Sequence, residues 1–135
     1  MFNGLLLQQL ADVIQKKIPD VLGVYVFGSV VKGEAGQSSD VDMAVLAHSV
    51  LPVMDVWLLA QSLAQDAGMD VDLIDLRSAS SVMRMEIVGK GERLICTDAE
   101  ACAVFEDFVF VDYARLNEER SDILKDIEMR GSVYG

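Results

Sequence analysis

Leu22-Gly23-Val24-Tyr25-Val26-Phe27-Gly28-Ser29, a gap of ten residues, then Asp40-Val41-Asp42-Met43-Ala44-Val45-Leu46 is the stretch on which the fold turns. Leu22 to Phe27 is short, β-branched and aromatic and stops at Gly28, so it reads as a buried strand, and Val41 to Leu46 reads as a second. Upstream, Leu6, Leu10, Val13, Ile14 and Ile18 recur at helical spacing, which predicts an amphipathic helix from Leu5 to Ile18 ended by Pro19. Downstream, Val53 to Ala67 carries helix formers up to Gly68, and Asp70 to Leu76 reads as a third strand. Ser80 to Val88 is expected to be helical and Arg93 to Cys96 a short fourth strand. Asp98 is placed to cap a long last helix reaching about Ile127, with a frayed tail from Gly131 to Gly135. Strands and helices alternate without a repeat or a linker, so residues 1–135 read as one layered domain of α/β or α+β class whose strand order the pattern leaves open.

With 52% hydrophobic residues, a chain of 135 residues buries enough surface to fold without disulfides or a structural metal. Its formal charge of −11 repels the phosphate backbone, so direct binding to nucleic acid is not expected. The same charge suits a basic protein partner or divalent cations, and equally suits a plain solvated surface. No apolar run is long enough to span a bilayer and no basic segment precedes a cleavable apolar one, which points to the cytoplasm. Cys96, Cys102 and the sole His48 lack the spacing of a zinc or redox site and are expected to be structural. Gly28, Gly33 and Gly36 form neither a dinucleotide fingerprint nor a Walker loop.

The chemistry concentrates at Asp40-Val41-Asp42. Side chains alternate along a strand, so Asp40 and Asp42 project from one face and can share metal ions. Two carboxylates so close repel each other unless a cation neutralises them. Magnesium fits, because it takes oxygen ligands, keeps waters and is held by one or two carboxylates plus substrate phosphates. Asp72, in the third strand, can complete a second ion position and act as general base, the two ions lying about 4 Å apart across an in-line displacement. Asp70 shares its face from the strand's start, and Asp75 points the other way; both remain alternatives to Asp72. Gly28 lets backbone approach phosphate oxygens, and the Ser29 hydroxyl with the amides that follow can donate to them. Lys32 adds a positive charge one turn on, or is a surface lysine. These glycine, serine and aspartate letters at this spacing arise by chance in about one chain of this length per thousand.

Gly28-Ser29, Ser39-Asp40-Val41-Asp42 and Val71-Asp72-Leu73 together resemble the nucleotidyltransferase superfamily related to DNA polymerase beta. Length, the Glu86-Ile87 to Arg93-Leu94 stretch and the long last helix resemble its minimal form, paired with HEPN proteins in toxin–antitoxin modules, over nearly the whole chain. The resemblance implies a central mixed sheet flanked by helices with a long C-terminal helix. It also implies magnesium at Asp40, Asp42 and Asp72, and ATP phosphates at Gly28, Ser29, Lys32 and Ser39. The implied reaction is transfer of AMP to a tyrosine of a HEPN ribonuclease partner within a hetero-oligomer. Lys32 departs from the family, in which an arginine is frequent, and loses the bidentate fork.

Two other classes compete. A binding antitoxin would occlude the toxin without chemistry, which the three aspartates argue against; a nucleotide-sugar transferase would use Asp-x-Asp but leave Gly28-Ser29 unexplained. In the last helix Val104, Phe105, Phe108, Val109, Phe110 and Val111 spread apolar side chains beyond one stripe, either as a partner surface or as a helix buried in its own domain. Phe108 and Phe110 lie about 200° apart, so one ring is expected to face the core and the other solvent. Tyr113 carries the same ambiguity.

Overall fold

The computed structural model describes residues 4–28 and 40–134, with side chains through Met129. The described residues form α1 (Gly4–Lys17), β1 (Val21–Phe27), β2 (Val41–Ala47), α2 (Val53–Ala67), β3 (Val71–Asp75), α3 (Ser81–Lys90), β4 (Glu92–Cys96) and α4 (Ala99–Tyr134). The sheet runs β3-β2-β1-β4. β1 pairs antiparallel with both β2 and β4, while β2 and β3 are parallel. The sheet is therefore mixed, and α2 is the crossover that a parallel pair requires.

Every residue of β1 is buried because both sheet faces are covered, which is why its sequence reads as a continuous apolar run rather than an alternating one. On one face Leu10 and Ile14 of α1 and Leu63 of α2 pack over Val24, Met43 and Val45. On the other, Ile87 of α3 with Cys102, Phe105 and Val109 of α4 cover Leu22, Tyr25, Ala44 and Leu46. Gly23 admits α4 closely, since a Cβ there would meet the Cys102 Sγ and the Tyr25 ring at 3.2 Å each.

Helix ends follow the local chemistry. Gly68 closes α2 in the left-handed region at φ 69°, the Ser80 side chain accepts from the Met83 amide at the start of α3, and Asp98 Oδ1 accepts from the Ala101 amide at 3.0 Å. Three expectations need correction. Asp70 and Leu76 lie just outside β3. α4 does not end near Ile127 with a frayed tail but runs through Gly131 to Tyr134. Phe108 and Phe110 are not one inside and one outside: at 50% and 44% exposure they flank the buried stripe of Cys102, Phe105 and Val109.

Candidate active site at the end of the sheet

The strand pairings put three sequence-distant residues in one row. Phe27 pairs with Asp42 across the antiparallel ladder, and Asp42 pairs with Asp72 across the parallel one. Two residues further along their strands, Ala44 and Ile74 pack in the α3 and α4 layer, so the alternation of strand side chains sets Asp42 and Asp72 on that same face. Asp40 stands exposed immediately before β2, and its own charge reaches Asp42.

Asp42 is the electrostatic centre. Its carboxyl is held above the usual carboxylate range by partial burial first, then by the negative charges of Asp72 and Asp40 and by a hydrogen bond with Asp72. A cation at this point would relieve both the repulsion and the desolvation. Among the described residues, no three histidine, cysteine or acidic side chains converge on a closed metal cage. The pair Asp42 and Asp72 with Asp40 at its edge instead suits an ion that completes its shell from water and substrate phosphates.

Gly28 adjoins this row with φ at +78°, a conformation that L side chains rarely adopt. A Cβ on it would collide with the Asp42 carboxylate, so backbone conformation and space both call for glycine. Ser29, Lys32 and Ser39, which the sequence assigns to the phosphates, lie outside the described residues.

Of the two alternatives to Asp72, Asp75 is a buried structural anchor, 7% exposed. Its carboxylate accepts from the Leu51 amide at 2.9 Å, the Arg77 amide at 3.1 Å and the Ser78 hydroxyl at 2.9 Å. Asp70 offers its backbone carbonyl to the Val41 amide at 3.0 Å before the strand begins. Cys96 and Cys102 are free thiols 3.5 Å apart, and burial pushes Cys102 up to about 11, the range of an inert core thiol. His48 is exposed just past the opposite end of β2. What sequence reasoning could not locate is the central position of Asp42, flanked by Phe27 and Asp72, because that depends on strand order.

Residues 8–100 match the family described as Polymerase beta, Nucleotidyltransferase. The chain is similar to the protein adenylyltransferase MntA of Shewanella oneidensis, at 36% identity over 119 residues, covering 88% of this chain and 85% of that protein. It is likewise similar to a chain of a toxin–antitoxin crystal structure with AMP-PNP, at 36% identity and TM-score 0.80, covering 89% of this chain and 97% of that one. A third likeness is to a structure of tri-AMPylated Shewanella oneidensis HEPN toxin in complex with MNT antitoxin. There the identity is 35% and the TM-score 0.72, over 89% of this chain and 98% of that chain.

Proposed function

The chain belongs to the polymerase beta nucleotidyltransferase family, and from that membership we propose that it is a protein adenylyltransferase that moves AMP from ATP to a tyrosine hydroxyl of a cognate HEPN toxin, silencing it as its antitoxin. The observation that carries this reading is the row of Asp42 and Asp72 beside the glycine-only position at Gly28. The Shewanella relative carries the name protein adenylyltransferase, and similar chains occur in complexes with AMP-PNP and with a tri-AMPylated HEPN toxin.

In this reading Gly28, Ser29, Lys32 and Ser39 bind the triphosphate, and Asp40, Asp42 and Asp72 hold magnesium. When bound, two such ions supply Lewis acidity at the transferred phosphorus and stabilise charge on the departing pyrophosphate. Asp72 takes the proton of the acceptor hydroxyl, whose oxygen bonds to the α-phosphorus as the bond to pyrophosphate breaks. Asp42, central in the row, would hold an ion between itself and the substrate phosphates, and Gly28 lets backbone stand close enough to replace lost water on the phosphates. Among the described residues no helix is long and apolar enough to cross a membrane, and we place the protein in the cytoplasm with its ATP.

Incubating the protein with its HEPN partner and α-labelled ATP tests the reading. Label is expected on a partner tyrosine, lost with a chelator and restored by magnesium. Transfer that persists after rigorous metal removal contradicts the two-metal site. Complex formation with no transfer at all would favour occlusion of the toxin without chemistry.

A further inference from the structure

α4 outruns the domain it belongs to. At 1.5 Å per residue its 36 residues extend about 54 Å. Cys102, Phe105 and Val109 are buried against the sheet and Leu116 is half-buried, while every residue from Asn117 to Met129 is exposed. The stripe does not stop where the core stops. On a helix with 3.6 residues per turn, Cys102, Phe105, Val109, Leu116, Ile123 and Ile127 fall within an arc of about 60°. The face that packs on the sheet thus continues past it, with Ile123 and Ile127 each 58% exposed and Leu124 beside them at 63%. Helices in proteins gain most of their stability from packing an amphipathic face rather than from propensity, and the exposed stretch from Asn117 to Met129 has no such packing among the described residues of its own domain. An apolar stripe continuous with the core face marks a surface that a helix covers.

We propose that the projecting half of α4 is a docking arm, on which Leu116, Ile123 and Ile127 pack against helices of the cognate HEPN protein. The choice of that partner rests on the function proposed above. Charge argues for a partner over a second copy of this chain. Between Asn117 and Met129 stand Glu118, Glu119, Asp122, Asp126 and Glu128 against Arg120 and Lys125, on a chain of net charge −11, so two arms side by side repel each other. A helical surface bearing lysine and arginine around an apolar seam satisfies both the stripe and its acidic flanks.

The test uses the full chain with Ile123→Asp and Ile127→Asp together and its cognate HEPN protein, read by calorimetric titration. The pair of substitutions is expected to weaken binding at least tenfold and to raise KM for the HEPN protein in AMP transfer, with kcat unchanged. The melting temperature of the sheet should hold, because the arm lies beyond the packed core, and Ile123→Leu should bind as the wild type does. Unchanged affinity in the doubly charged variant overturns the arm. So does a wild-type dimer in sedimentation that the substitutions dissolve, since a second copy would then be the occupant. Titration reads docking apart from chemistry, so arm-dependent binding without AMP transfer would sink the proposed reaction and leave the arm standing.

Discussion

Asp42 illustrates how one side chain can be unfavourable for folding and required for chemistry. Burial and two neighbouring carboxylates raise its proton affinity in the native state. A raised native pKa favours the protonated form, so this residue supports the fold below the ordinary aspartate pKa, near 3.9, and loses that support as pH rises through the native value. Asp42→Asn is therefore expected to melt higher than wild type in a chelator at neutral pH, with the gap closing as the pH is lowered toward 3. The same substitution should cut AMP transfer by at least about a hundredfold, since several kcal/mol of transition-state charge stabilisation are at stake. Calorimetry across pH and single-turnover labelling check both halves; a variant with normal turnover would remove Asp42 from the site. Gly28 offers a second reading of the same geometry. Gly68 shares its left-handed backbone but has open space around a would-be Cβ, whereas at Gly28 that Cβ meets Asp42. Gly68→Ala should cost about 1–2 kcal/mol from backbone alone. Gly28→Ala should cost more and also depress transfer by displacing the carboxylate, so equal losses of stability with intact activity would contradict the contact.

At the scale of elements, α4 divides into a packed half and a projecting half. Its first half is tied down by Phe105, which lies beneath Arg77 and Arg84 with both guanidinium carbons 5.7 Å from the ring centroid. Asp112 ties it to α3, accepting from the Ser81 hydroxyl at 2.5 Å. Phe105→Ala should lose about 3–5 kcal/mol as a buried aromatic truncation. Phe108 and Phe110 each already show nearly half their surface to water, so their Ser variants should lose only about 1 kcal/mol each. Thermal melts of the three variants check the ranking, and a Phe110→Ser loss as large as that of Phe105→Ala would mean that Phe110 carries core packing. The expectation of one inward and one outward ring failed for a geometric reason. Rings about 200° apart can sit on the two shoulders of a stripe lying between them, and a helix resting on a sheet shields both shoulders partly.

For the whole molecule, the excess of carboxylates gives association with a basic partner a strong dependence on ionic strength. Raising salt from 50 to 500 mM should slow the association rate with the HEPN protein by about tenfold or more and change its dissociation less. Stopped-flow binding at several salt concentrations decides this, and a flat association rate would mean that charge does not steer the encounter. Whether the −11 served a partner or only solvation was not legible in composition, because net charge records no position. Much else was legible: the strands at Val24, Val41 and Val71, the turn at Gly28 and the stop at Gly68 follow from side-chain size, branching and backbone freedom, which act within a few residues. The shared facing of Asp42 and Asp72 with Ala44 and Ile74 follows equally from the two-residue period of a strand. Strand order, the burial of Asp75 as an anchor rather than a ligand, and the passage of α4 through Gly131 depend on contacts between distant parts of the chain. Asp72 joins Asp42 only because the crossover through α2 returns the chain so that β3 lies parallel to β2. Local periodicity determined which face Asp42 and Asp72 occupy within their strands, and tertiary pairing alone decided that the two meet, because a hydrogen-bonded ladder joins residues that the sequence keeps thirty positions apart.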